Sequence, residues 1–200
     1  RQLRMGHVLA ALLFQLQHYE NFMWSGASID HFQIVLLAAG AIVAVAHNTR
    51  TSTAVGAFLA ALATFTLAHG TLVWPIGAAM LWHKRNRPGL ALWIACAIVA
   101  VGGFLLGFQL NRAQEFAGWS FSGLTTILVY WLTLLGALPA MGGNAAAPWL
   151  GAGLLVFAVW LWRRGAARRE AIAFPLLAFA IGALALIAVG RAQHTGGVVY

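Results

Sequence analysis

The chain alternates between long apolar runs and short clusters of charged residues. Five stretches contain no Asp, Glu, Lys or Arg: 31–49, 51–83, 88–111, 116–162 and 171–190. Each is close to, or longer than, the roughly 20 residues that a helix needs to cross the hydrocarbon core of a bilayer. The pattern therefore predicts membrane helices joined by short loops.

The second of these stretches predicts a broken helix. Residues 51–83 are too many for one ordinary membrane helix and too few for two of full length. Gly70 and Pro75 stand in this stretch, and both residue types are helix breakers. We expect two shortened helices, 53–68 and 71–82, that meet near the outer face of the membrane.

One apolar segment does not fit as a full crossing. Two cytoplasmic loops require an even number of crossings between them, yet 90–108, 120–138 and 148–162 look like three spans. The segment 120–138 carries a helical stripe of hydroxyl side chains flanked by aromatic residues of interfacial type. We expect it to lie in the outer interface or to re-enter the membrane. The hydroxyl residues are Ser122, Thr125, Thr126 and Thr133.

Together the segments predict an all-α, polytopic helical membrane protein with about six transmembrane helices, two of them short, plus interfacial helices. In this prediction residues 1–200 form a single transmembrane domain. Its parts are an interfacial helix and outer loop (1–28), four membrane helices (29–110), an outer interfacial or re-entrant segment (111–147) and two membrane helices (148–200). A first residue that is not Met favours an internal fragment of a larger protein.

Composition supports a membrane protein and gives it an orientation. Hydrophobic residues make up 62% of the chain and charged residues 8%, with a mean hydropathy of +0.82. The net charge of +8 comes from short basic clusters, which mark cytoplasmic loops by the positive-inside rule. We expect a multi-pass protein of the bacterial inner (cytoplasmic) membrane that contacts membrane lipid and no nucleic acid. The clusters are Lys84–Arg87 and Arg163–Arg169, with Arg50 as a third marker.

No pattern in the sequence is typical of a metal, nucleotide or redox site. The seven histidines include no HExxH motif, and no glycine-rich loop carries a phosphate-binding lysine. Cys96 is the only cysteine, which excludes a disulfide framework within the chain and a cysteine metal cluster. We expect no metal and no cofactor.

Polar residues that the predicted topology gathers at the outer face are the candidates for chemistry. Glu20, Asn21 and Trp24 share one stripe of the N-terminal helix. Arg191 stands just past an apolar helix, where it would either clamp a phosphate or anchor the helix at the interface. His69 would either form hydrogen bonds at a helix end or line a polar cavity. Solvation at the membrane boundary would also account for these groups. The other outer residues are Asp30, His31, Arg112, Glu115 and His194.

Three segments carry a resemblance to a known family. They are QHYENFMWSGASIDHFQ (17–33), TFTLAHGTLVWPIGAAML (64–81) and LIAVGRAQHTGG (186–197). In this order they resemble a bacterial family of large, poorly characterised membrane proteins related to the GT-C glycosyltransferases. The resemblance implies a multi-spanning enzyme that transfers a sugar from a polyprenyl-phosphate donor at the outer face of the membrane.

The resemblance also implies roles for the outer residues. The acid credited with catalysis in GT-C enzymes usually lies in an early extracytoplasmic loop, which we expect this fragment to lack. Matched by position, Glu20 and Asn21 would line the outer cavity, with Glu20 as a candidate base, and Arg191 would face the donor phosphate. Arg112 is a second cation that could stabilise the departing phosphate. Trp24 and His69 complete the expected substrate-binding residues.

Two other functions stay open from the sequence. A transporter or flippase of lipid-linked sugars would also use an outward polar cavity, broken helices and interfacial arginines. An ionisable residue in the middle of the membrane would favour it, and His69 is the nearest approach to one. A non-catalytic membrane scaffold would leave the outer polar residues solvated and replaceable. The sugar, its acceptor and the oligomeric state are not indicated.

Overall fold

The computed structural model describes residues 25–107, 121–137, 145–165 and 169–192. Within these ranges the protein is all-α, with seven α-helices, one 3-10 helix and no strand, which confirms the helical part of the predicted fold class. In chain order the helices are α1 (Ser25–Ala46), α2 (Arg50–Thr66), the 3-10 helix (Ala68–Leu72), α3 (Val73–His83), α4 (Arg87–Gly107), α5 (Phe121–Gly136), α6 (Ala147–Arg163) and α7 (Ala173–Ala192).

Two of the described helices are long and apolar enough to cross a membrane, as judged by length and composition. They are α4, Arg87–Gly107, and the part of α7 that covers Ala173–Gly190. Three shorter apolar segments, 30–46, 123–136 and 147–163, belong to α1, α5 and α6. That any of these helices crosses a membrane stays a prediction.

α1 and α2 form a closely packed antiparallel hairpin. A Cβ atom on Gly56 of α2 would lie 3.1 Å from the carbonyl oxygen of Ala41 in α1, so the two backbones nearly touch. Such close approach increases van der Waals contact, which is a main attraction between helices in lipid. The small residues that these two helices bury are Ala38, Ala41, Ala57, Ala60 and Ala63.

The predicted helix break is present between α2 and α3. α2 ends at Thr66, the chain turns through the 3-10 helix, and α3 continues for only 11 residues. Gly70 is required at the turn, because a Cβ atom there would lie 2.0 Å from the carbonyl oxygen of Ala63. Pro75 falls in the first turn of α3, where its missing N–H removes no hydrogen bond within the helix.

A relay of buried hydrogen bonds joins the two sides of the break to α4. The indole N–H of Trp93 donates to the carbonyl oxygen of Trp74 at 2.9 Å. The indole N–H of Trp74 donates to the hydroxyl of Thr64 at 2.9 Å, and that hydroxyl donates to the carbonyl oxygen of Ala60 at 2.9 Å. Trp93 is 0% exposed and Trp74 4% exposed. The relay therefore fixes α3 against both α2 and α4, since breaking it would leave buried polar groups unpaired.

α5 and α6 form a second antiparallel hairpin with direct backbone contact. A Cβ atom on Gly136 would lie 1.9 Å from the carbonyl oxygen of Ala147, and one on Gly151 would lie 1.9 Å from that of Leu132. Within the predicted segment 120–138, α5 is thus a helix packed lengthwise along α6. Its expected place in the outer interface, or as a re-entrant segment, stays a prediction.

α7 joins the two hairpins. Its carbonyl oxygen at Ile181 accepts the indole N–H of Trp131 in α5 at 3.1 Å. The next residue, Gly182, lies against Leu72 of the 3-10 helix, and a Cβ atom there would be 3.1 Å from Leu72 Cδ1. The helix break and the α5–α6 hairpin therefore both contact the same turn of α7.

We expect Gly77→Ala to destabilise the protein by about 1–3 kcal/mol, the usual cost of overpacking. A Cβ atom on Gly77 would lie 2.2 Å from Cζ2 of Trp93, so the ring that starts the relay would have to move. Gly102→Ala in α4 is the matched control, because no atom lies within 4 Å of its Cβ position. Because alanine has a higher helix propensity than glycine, this control should leave stability unchanged or raise it by about 0.5–1 kcal/mol. Unfolding in mixed detergent and dodecyl sulfate measures both, and equal stability of the two variants would contradict the expectation.

Candidate functional site

Two basic turns meet at one end of the helices, called here the basic end. Lys84, which follows α3, donates its ammonium to the carbonyl oxygens of Val45, at 3.4 Å, and of Ala46. These carbonyls end α1, where a cation complements the negative end of the helix dipole. The amide of Asn86 donates to the side-chain oxygen of Asn48 at 2.8 Å, which ties the 84–86 turn to the 47–49 turn.

The start of each helix at the basic end is also fixed by hydrogen bonds. Thr49 and Ser52 form a reciprocal capping box at the start of α2. Asn86 caps α4 by accepting the backbone N–H of Gly89 at 2.9 Å. Burial lowers the pKa of Lys84 from its ordinary value, because desolvation disfavours the charged ammonium. The basic turns are therefore ordered structures and not only markers of topology.

A cleft of about 570 Å³ brings the connection between α6 and α7 to the same end. It is called here the basic-end cleft. α3 and the turn after it contribute Ile76, Ala79, Met80, His83 and Lys84. Trp162 of α6 and, on the side of α7, Ala171, Phe174, Pro175 and Ala178 form the rest of the lining. The cleft thus combines an apolar interior with a cationic rim.

The far ends of α1, α4 and α7 lie opposite the basic end. α1 begins at Ser25 and runs to the carbonyls that Lys84 binds, whereas α4 starts at Arg87 and runs away to Gly107. α7 starts next to the basic-end cleft and passes Leu72 at Gly182. Phe65 and Phe104 make an edge contact with ring centroids 6.5 Å apart, so α2 and α4 end together.

Two histidines from distant parts of the sequence come together at the helix break. His69 lies half-buried in the 3-10 helix, and its pKa is lowered first by desolvation and then by the positive charge of His31 from α1. His31 and His69 therefore lie close enough to interact, and their place at the outer face stays a prediction. A neutral imidazole at His69 can donate and accept a hydrogen bond, as the wall of a polar cavity requires.

The structure does not describe the side chains of the other predicted site residues. Glu20, Asn21, Trp24 and Arg112 lie outside the described residues. Arg191 is in the last turn of α7, but its side chain is outside what the structure describes. Their roles stay predictions.

The described residues offer no ready metal site. In the ranges given above, no group of three or more His, Cys, Asp or Glu side chains could hold a metal ion. Across the same residues, every buried polar side-chain atom has a hydrogen-bond partner. The expectation of no metal and no cofactor for the whole chain stays a prediction.

The basic-end cleft was missed by the sequence analysis, which treated Lys84 only as a marker of a cytoplasmic loop. A usable signal was present. Ile76, Met80 and His83 recur at helical spacing and lead directly into Lys84, which predicts an apolar stripe that ends in a cation. The opposite wall depends on how α6 and α7 pack, and no local pattern indicates that.

Comparison of the chain with known protein families, curated proteins and solved structures found no match.

We expect the stability of the detergent-solubilised protein to fall in acid because of His69. Its pKa is lower in the folded state than in the unfolded chain, so the unfolded chain binds the proton more readily. The contribution of neutral His69 to the free energy of unfolding is fully present above the ordinary histidine pKa of about 6.5, and it is lost as the pH falls below that value. Thermal unfolding between about pH 8 and pH 5 measures this loss.

His69→Gln should reduce that loss. His47→Gln is the matched control, because His47 is exposed and lies at the basic end. It should keep the wild-type response. An unchanged acid response in His69→Gln would show that the protonation of this side chain does not limit stability.

Proposed function

We propose that the chain is a multi-pass domain of the bacterial inner membrane. Besides the two helices suited to cross it, the described helices leave large apolar side chains exposed: Leu106 is 92% and Trp149 80% exposed. A monomeric soluble protein rarely exposes apolar surface on this scale. Exposed apolar side chains of this size are suited to contact with lipid.

The charges of the described residues give the domain its orientation. Arg50, the Lys84–Arg87 turn and the end of α6 all lie at the basic end. By the positive-inside rule this end faces the cytoplasm. The opposite end, with His31 and His69, then faces outwards.

We infer that the outer end is part of a site for a lipid-linked sugar, as in a GT-C-like glycosyltransferase. The supporting observation is where the chain leads from the described helices. Glu20 precedes Ser25 by five residues and Arg112 follows Gly107 by five, so neither is farther than about 18 Å from the outer end of its helix. Arg191 lies in the outermost turn of α7. These short separations along the chain support the proposal that the three residues act at one end.

In this proposal the candidates divide the work of sugar transfer. The bond between the anomeric carbon and the donor phosphate breaks, and the acceptor oxygen forms the new bond to that carbon. A base takes the proton of the acceptor hydroxyl, with Glu20 as the candidate in this chain and Asn21 and Trp24 beside it in the sequence. Arg191, or Arg112, stabilises the charge on the departing polyprenyl phosphate. His69 lines the cavity.

A transporter or flippase of lipid-linked sugars is a second candidate, and the His31–His69 pair favours it. His31 on α1 lowers the pKa of His69, and a histidine whose protonation depends on a neighbouring helix can couple a proton to the movement of that helix. The break between α2 and α3 is the kind of interruption that transporters place at binding sites. A scaffold without activity has no comparable observation in its favour.

Cysteine labelling tests the orientation. In a Cys96→Ala background, we expect Gly107→Cys to react with a membrane-impermeant maleimide in intact spheroplasts. Thr51→Cys, exposed beside Arg50, should react only after permeabilisation. Gly107 has open space around its Cβ position, so the substitution costs no packing. Labelling of both sites from the same side would contradict the proposed orientation, and recovery of the protein without detergent in the soluble fraction would contradict the membrane location.

Replacement of Arg191 tests the transfer. In membranes that carry the protein, we expect Arg191→Gln to slow release of polyprenyl phosphate from polyprenyl-phosphate sugars by about 100-fold or more, the usual effect of losing a charge-stabilising donor. Arg163→Gln at the basic end is the matched control and should keep wild-type release. Release by Arg191→Gln at the wild-type rate would remove this arginine from the mechanism. Transport without release, measured as movement of a labelled donor across vesicles, would favour the flippase.

A further inference from the structure

We propose that the basic-end cleft binds one anionic phospholipid of the cytoplasmic leaflet, with its phosphate at His83 and Lys84 and an acyl chain between α3 and α7. The inference rests on the membrane location and orientation proposed above and is independent of any sugar transfer at the outer end.

The shape of the cleft suits an acyl chain. Its volume of about 570 Å³ is in the range of about 300–1,000 Å³ that ligand pockets occupy. The walls are Ile76 and Met80 on α3 and Phe174 and Pro175 on α7. Burying methylene groups against such walls is favourable by about 0.8 kcal/mol for each.

The rim of the cleft suits a phosphate. An ammonium group has three N–H donors, and Lys84 directs two towards the carbonyl oxygens of Val45 and Ala46, which leaves one for a ligand. His83 stands beside it in the lining and is exposed. A phosphate oxygen between these two side chains would receive hydrogen bonds strengthened by charge.

Charge around the cleft favours an anionic lipid over a zwitterionic one. Glu170 is the single carboxylate at this end among the described residues, and it is exposed. This end also carries the exposed cations Arg85, Arg163 and Arg164, so positive charge exceeds negative charge there. Each basic residue near a membrane surface adds about 1 kcal/mol of attraction for anionic lipid.

The surroundings of the cleft favour a lipid over a water-soluble anion. Trp162, which forms the α6 wall, is 61% exposed, and tryptophan in this position is typical of the boundary between lipid and water. Arg164, the residue that follows α6, lies over the ring of Trp160, 5.1 Å from its centroid. Cationic groups held on interfacial aromatic rings mark the depth of the headgroups. The cleft therefore has headgroup chemistry at its rim and acyl-chain chemistry inside.

Native mass spectrometry of the full chain in a neutral detergent tests the proposal. The probes are phosphatidylglycerol and phosphatidylcholine with the same acyl chains, added at equal concentration. Ala178→Trp fills the cleft without removing a charge, because Ala178 is an exposed lining residue. Ala91→Trp is the matched control, since Ala91 is exposed on α4 near the basic end and is not part of the lining. His83→Gln tests the rim and leaves the Lys84 contacts with α1 in place.

We expect wild type and Ala91→Trp to retain one phosphatidylglycerol with about tenfold preference over phosphatidylcholine, a difference of about 1.4 kcal/mol. Ala178→Trp should lose about tenfold in retention, and His83→Gln should lose most of the preference but still bind. Equal retention of the two lipids would overturn the proposal, and so would wild-type retention by Ala178→Trp. Displacement of the lipid by glycerol 1-phosphate at equal concentration would overturn it in favour of a headgroup site.

Failure of this test is distinguishable from failure of the proposed function. A protein that inserts with the expected cysteine labelling but shows no lipid preference lacks only the lipid site. A protein that prefers phosphatidylglycerol but keeps full release after Arg191→Gln lacks only the proposed role of that arginine.

Discussion

The hydrogen-bond relay from Trp93 through Trp74 to Thr64 is the interaction on which the arrangement of the helices depends. In the lipid surrounding that we propose for these helices, removal of apolar surface from water does not drive one helix against another. Contacts that lipid cannot replace then decide which arrangement is formed, and a buried hydrogen bond is one of them. The relay lies at the break between α2 and α3, and it joins that break to α4.

The two ends of the protein are built differently. At the basic end, hydrogen bonds cap the helices and join the turns. Lys84 donates to the last carbonyl of α1, Thr49 caps the start of α2, and Asn86 caps the start of α4 and donates to Asn48. At the other end the described helices lead into chain segments that hold most of the predicted site residues. We interpret this as a division in which one end sets orientation and contacts with the cytoplasmic leaflet, while the other carries the proposed chemistry.

Features with a local cause were predictable from the sequence. The break between α2 and α3 follows from Gly70 and Pro75, whose effects on a helix act within one turn. The boundaries of the two helices differ by one to three residues from those predicted, because Thr49 and Ser52 start α2 earlier and the 3-10 helix takes up the residues to Leu72. Capping depends on side-chain geometry that an apolar pattern does not record.

Features with a long-range cause were not predictable. The contact of Gly136 with Ala147 holds α5 lengthwise along α6, and single glycines spread through a sequence do not indicate which pairs will meet. The same holds for the basic-end cleft, which α3 lines on one side and α6 and α7 line on the other. The proximity of His31 and His69 was partly predictable, since the predicted topology put both at one face, although the effect of His31 on the protonation of His69 required the fold.

The geometry of the two central indoles also gives the protein a built-in optical signal. The rings of Trp74 and Trp93 have centroids 4.9 Å apart and planes inclined at 59°. Electronic transitions of two chromophores this close, and neither parallel nor perpendicular, couple and produce paired circular dichroism bands of opposite sign. Because one ring belongs to α3 and the other to α4, those bands report whether the broken helix is docked, without any added label.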